Sequence, residues 1–158
     1  MVLERELFLN KVIKHEQRTI IYGSGMFGKN VRFFLQNECG ISVDYFCDKN
    51  PVLWGNVIED HIKCMSLEEL VSQKDHCNII IAVAYRYLDE VKRYFEQNYI
   101  KNYMTFLEIC KTDWMKKKFC KVDHIESLKH FTEERKTDRN LGQIRKGRIA
   151  VYTFITDG

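Results

Sequence analysis

The sequence predicts an α/β domain whose five strands form a parallel sheet in the order 3-2-1-4-5, flanked by helices and followed by a C-terminal helical extension. Three observations carry that expectation. The apolar run Thr19 to Tyr22 leads directly into Gly23-Ser24-Gly25-Met26-Phe27-Gly28 and then into a helical periodicity. Ile79-Ile80-Ile81-Ala82-Val83-Ala84 is apolar at every position, which requires cover on both faces, as at the centre of a parallel sheet. Around these two landmarks, strand-like and helix-like stretches alternate, and right-handed crossovers leave few ways to order them.

Each element has its own signal. Val2, Leu3, Leu7, Val12 and Ile13 leave one apolar face on a helix over residues 3–15. Thr19 to Tyr22 is the first strand. Met26, Phe27, Val31, Phe34 and Leu35 give the next helix its apolar face, and Gly40 ends it. Ile41 to Cys47 is the second strand, and the turn Asp48-Lys49-Asn50-Pro51 follows it with the chain's only proline. A polar connection through Trp54-Gly55 leads to a short strand at Ile62 to Met65. Ser66-Leu67-Glu68-Glu69 has the form of a capping box, so a short helix begins at Leu67 and extends to Val71. Asn78 to Ala84 is the fourth strand, a helix with Leu88, Val91, Tyr94 and Phe95 on one face covers 86–98, and Asn102 to Phe106 completes the five.

The glycine pattern makes the sheet Rossmann-like and marks the candidate ligand site. Gly23 suits a tight turn at the strand end, Gly25 lets a phosphate approach the backbone, and Gly28 lets the helix pack against the strand. Ser24, Met26 and Phe27 complete the loop at a helix N-terminus, whose N–H groups and partial positive charge suit an anion. Asp48 lies twenty residues after Gly28, where such a fold places an acid on ribose hydroxyls. Lys49 adds a cation, and the turn Ala84-Tyr85-Arg86 brings Tyr85 and Arg86 to the same carboxyl rim of the sheet.

Every one of these residues has a structural alternative. Gly23 and Gly28 can answer backbone geometry alone, and Asp48 can cap its own turn. Arg86 either clamps a diphosphate bidentately or is a solvated first-turn arginine, the commoner role. Trp54 is a lid or core cover, with core cover the commoner. Tyr45-x-x-x-Lys49 has the spacing of the short-chain dehydrogenase pair, but it falls across a strand end, where the two side chains do not sit one turn apart. His61, His76, His124 and His130 show neither metal spacing nor a partnered nucleophile, so no catalytic or metal-binding residue is assigned.

Composition bounds the rest. At 158 residues, 45% hydrophobic and 30% charged, the chain supports one cored domain with an appendage. No apolar run is long enough to span a bilayer, and the first residues carry acids where a signal peptide needs bases, which reads as a cytoplasmic protein, with the membrane surface open to it. The six cysteines contain no C-x-x-C pair, so neither a zinc site nor a redox motif is indicated. Residues 1–107 hold 13 Lys and Arg against 14 Asp and Glu, while 108–148 hold 12 against 7. That basic excess is the usual mark of a solvated helix face, and without aromatic-basic interleaving it does not indicate nucleic acid. Trp114, Met115, Phe119, Val122, Ile125, Leu128 and Phe131 form an irregular stripe, read as two helices. Residues 133–146 are polar enough for a linker, and Arg148 to Ile155 is strand-like.

The stretches Ile20 to Gly28, Val43 to Pro51, Trp54-Gly55, Ser66 to Leu70 and Ile79 to Ala82 together resemble the small Rossmann-like domains of bacterial polysaccharide-biosynthesis proteins. These include the nucleotide-sugar-binding N-terminal domains of sugar acyltransferases. Ile149 to Gly158 resembles the opening strand of a glycosyltransferase-like domain found in similar proteins. The first resemblance covers roughly residues 18–107. With the change of pattern at Glu108 the chain divides into a nucleotide-binding domain over 1–107, a helical extension and linker over 108–147, and at 148–158 what the second resemblance implies is the first strand of a transferase domain. It implies a UDP-type nucleotide-sugar as ligand, with the chemistry done by the transferase domain and not by this fragment alone. Two other readings stand beside it: an NAD(P)-dependent sugar-nucleotide oxidoreductase, and an empty scaffold whose amphipathic terminal helices drive homo-oligomerisation.

Overall fold

β1 (Arg18–Tyr22) lies inside a six-stranded sheet in the computed structural model, which describes residues 2–119. α1 (Val2–Lys14) precedes it, and α2 (Met26–Asn37), β2 (Tyr45–Cys47), β3 (Val57–Glu59) and β4 (Ile62–Met65) follow. Then come α3 (Leu67–Ser72), β5 (Cys77–Ile81), α4 (Tyr85–Gln97), β6 (Tyr103–Thr105), α5 (Phe106–Cys110) and α6 (Asp113–Phe119). The sheet order is β3-β4-β2-β1-β5-β6, parallel throughout except that β3 runs antiparallel to β4.

The five expected strands are present in the expected order, and the strand count is corrected to six. The additional strand is a hairpin arm on the edge. Val57–Glu59 turns back onto β4 through Asp60 and His61, which both adopt left-handed backbone, with φ of 50° and 65°. Such turns ordinarily carry Asn-Gly or Asp-Gly, and Asp-His gave no such signal. Arg32 on α2 holds the hairpin in place: its Nε and Nη2 donate to Glu59 Oε1 at 3.0 and 2.8 Å, and Nη1 donates to Gln36 Oε1 at 2.9 Å. The second strand is shorter than expected, pairing only at Tyr45–Cys47. Ile41 and Val43 are buried before it without joining the ladder. The fourth ends at Ile81, and Ala82 to Ala84 bend toward α4.

Alternation along the strands builds two cores. Ile21, Phe46, Cys64 and Ile80 face one side, where Leu9 and Val12 of α1 and Val31 and Leu35 of α2 cover them. Ile20, Cys47, Met65, Ile79 and Ile81 face the other, under Leu70 of α3 and Val91 and Phe95 of α4. Phe106, Ile109 and Met115 are buried in the first of these cores, so α5 and α6 pack as part of the domain, and the division expected at residue 107 falls inside α5. The expected linker, the terminal strand and the helical stripe beyond Phe119 lie outside the described residues. Among the described residues no helix is long and apolar enough to cross a membrane.

Candidate functional site

The carboxyl ends of β1, β2 and β5 meet α2 and α4 around a cavity of about 610 Å³. Its floor is the glycine loop. Gly23 has φ of 112°, where a side chain is strained, and a Cβ there would collide with the Ala82 carbonyl. At Gly28 a Cβ would collide with the carbonyl oxygen of Gly23, so this glycine allows α2 to abut the end of β1. Gly25 differs from both. It has an ordinary extended backbone (φ −79°, ψ −163°), and a Cβ there would meet nothing within 4 Å. The protein's own packing does not require a glycine at that point, and Gly25 is among the residues that line the cavity.

Gly25 is also the N-cap of α2, with no side chain capping the helix. The first turn of a helix has N–H groups without intrahelical acceptors and a partial positive charge, and here Met26, Phe27 and Gly28 of that turn line the cavity. Asp48, at the end of β2, fixes the loop. Its Oδ2 accepts from Ser24 N at 3.0 Å and from Ser24 Oγ at 2.8 Å, and its Oδ1 accepts from Asn50 N at 3.0 Å. Asp48 therefore caps its turn, as the structural reading expects, and also lines the cavity.

Of the residues singled out from sequence, Gly23, Gly25, Met26, Phe27, Gly28, Asp48 and Lys49 come together around the cavity. Ser24 is buried behind it, bound to Asp48. Tyr85 and Arg86 are exposed and do not line it; the Arg86 guanidinium instead lies 4.9 Å from the Tyr87 ring centre. Lys49 Nζ is 3.1 Å from Glu90 Oε1, joining the turn after β2 to α4. Tyr45 lies under Arg18, whose guanidinium carbon is 5.6 Å from its ring centre. Trp54 packs against the first core and donates from Nε1 to the Asp48 carbonyl at 2.7 Å, so it is core cover.

Sequence reasoning missed the second wall. Tyr87, Glu90, Val91 and Tyr94 come from one face of α4, at the spacing i, i+3, i+4, i+7, which was the available signal. Tyr22, at the end of β1, completes it and meets Phe95 edge to face, with ring centres 5.3 Å apart. Burial, reinforced by the Cys47 thiol and Asp48, raises the Tyr22 phenol well above its ordinary value, and burial also moves Tyr94 upward. Both stay protonated and can donate a hydrogen bond. The cavity thus offers an anion the uncapped helix end, offers a ring apolar and phenolic walls, and offers hydroxyl groups the carboxylates of Asp48 and Glu90. Among the described residues no group of three or more His, Cys, Asp or Glu is placed to hold a metal.

These features define a Rossmann-like α/β domain with an open cavity at the switch point of its sheet. No protein-family model matches the chain, and no curated protein matches it. Among solved structures it is similar to RSP, a Rex-family repressor, at 21% identity and a TM-score of 0.45, over 63% of this chain and 51% of that one.

Proposed function

We propose that this chain binds a nucleotide or nucleotide-sugar, with its diphosphate on the backbone at Gly25 and the N-terminus of α2. One observation carries the reading: Gly25 lines the cavity, and a Cβ there would meet no protein atom within 4 Å, so the protein's own packing does not explain the glycine. The volume lies within the range of small-molecule sites. The more particular assignment is an accessory domain of a bacterial surface-polysaccharide glycosyltransferase, followed in the same chain by the transferase. It is supported by the resemblance of the stretches at 20–28, 43–51 and 79–82, and by that of 149–158.

A second reading, an NAD-dependent sugar-nucleotide oxidoreductase, is favoured by one feature. The Asp48 carboxylate stands on the cavity wall at the end of β2, where such a fold hydrogen-bonds a ribose. Calorimetric titration of the 158-residue chain with UDP-glucose, NAD and NADP separates the readings. Binding of UDP-glucose alone supports the first, and NAD binding with turnover of a nucleotide-sugar supports the second. Absence of heat with all three would sink both and leave a scaffold.

A further inference from the structure

We infer that the cavity selects a diphosphate esterified at both ends, a dinucleotide or a nucleotide-sugar, over a nucleoside diphosphate that ends in an unesterified phosphate. The inference rests on the nucleotide reading above and sharpens it. Three side chains with full charges line the cavity: Asp48, Lys49 and Glu90. Lys49 is neutralised by Glu90 at 3.1 Å, so the balance is one negative charge, on the carboxylate that holds Ser24 at the bend.

No lining cation is left over for an additional phosphate charge. Arg86 lies outside the cavity, and Arg32 on α2 is engaged by Glu59, Asp60 and Gln36. A helix N-terminus and backbone amides accommodate singly charged ester phosphates. A terminal phosphate carries about one charge more at neutral pH, and it brings that charge into a cavity whose own balance is one negative charge. Carboxylates are, by contrast, good acceptors for the hydroxyls of a ribose or sugar on the far side of the second phosphate. Tyr22, only 5% exposed, forms with Val91 and Tyr94 an apolar wall against which a ring can lie.

The test is calorimetry on the 158-residue chain with UDP-glucose against UDP, and NAD against ADP, at low and high salt. The esterified member of the pair that binds should be favoured on the order of tenfold, the worth of one extra charge a few ångströms from a carboxylate in a half-exposed cleft. The preference should shrink at high salt, which contacts to the sugar alone would not produce. It should also shrink in Glu90→Gln, a position 56% exposed and therefore tolerant of the change. Equal or tighter binding of UDP or ADP, or a preference unmoved by salt and by Glu90→Gln, overturns the inference and leaves the nucleotide site standing. Silence with all four probes overturns the nucleotide reading and this inference with it.

Discussion

Asp48 grips Ser24 twice, through the backbone N–H at 3.0 Å and the hydroxyl at 2.8 Å, and so fastens the end of β2 to the glycine loop after β1. The same carboxylate satisfies Asn50 N. Removing it leaves several donors without an acceptor, which costs more than removing one hydroxyl. Asp48→Ala should lower unfolding stability by about 2–3 kcal/mol and Ser24→Ala by about 1 kcal/mol, with the double variant losing less than the sum. Urea denaturation of the three variants checks this, and strict additivity would deny the coupling.

Two glycines of one loop should respond in opposite ways. Gly25→Val meets open space, so its melting temperature should stay close to that of the parent while nucleotide binding is lost. Gly28→Ala drives a methyl into the Gly23 carbonyl and must move α2 off the sheet, a cost of about 3 kcal/mol or more. Thermal melts beside calorimetry separate the two effects. Unchanged affinity in Gly25→Val would refute the phosphate position.

Stability should fall in alkali. Burial raises the Cys77 and Cys64 thiols from 9.0 to about 11, and Cys39 to about 12. Between those values and 9.0 the unfolded chain sheds protons that the folded chain keeps, so stability is full below pH 9 and declines as pH rises toward 11 and 12. Cys77 alone should contribute a loss of about 2 kcal/mol across that interval. Urea midpoints followed from neutral pH upward should drop, and the drop should be smaller in Cys77→Ala. A flat profile through that range would contradict the assignment.

α4 ends in a Schellman turn with the wrong residue for it. Ile100 N donates to Phe95 O at 2.8 Å and Tyr99 N to Glu96 O at 3.2 Å, and Tyr99 between them sits at φ of 56°. Its side chain is largely exposed and contacts Lys74. Tyr99→Gly should relieve left-handed strain and stabilise the protein by about 1 kcal/mol, seen as a higher melting temperature. A lower one would show that the Tyr99 ring is worth more than the strain.

The sheet was legible because its signals are local. The run at 79–84, the glycine turn and the capping box at Ser66 each declare an element without reference to the rest of the chain. Ser66 Oγ does accept from Glu69 N, at 3.1 Å. The edge strand was hidden because the hairpin turn at Asp60-His61 is held by Arg32, an arginine buried on α2 that donates to Glu59 and Asp60. A propensity rule cannot register a turn whose stabilising partner is 28 residues away in the chain.

The candidate site divides in the same way. Its floor follows from the chain itself: the apolar run delivers Gly23 to the bend, the spacing brings Gly28 under it, and Asp48 ends the neighbouring strand. Its second wall was settled only by packing. The sequence marks Leu88, Val91, Tyr94 and Phe95 as the apolar face of α4, and burying Val91 and Phe95 on the sheet leaves Tyr87, Glu90 and Tyr94 turned to the cavity. How far a helix rotates about its own axis depends on the surface it lands on. Thus the sequence by itself determined the strand order and the glycine bend at the floor of the cavity, because both are written in near neighbours. Which side chains line that cavity, and with what net charge, was decided by contacts between residues far apart in the chain.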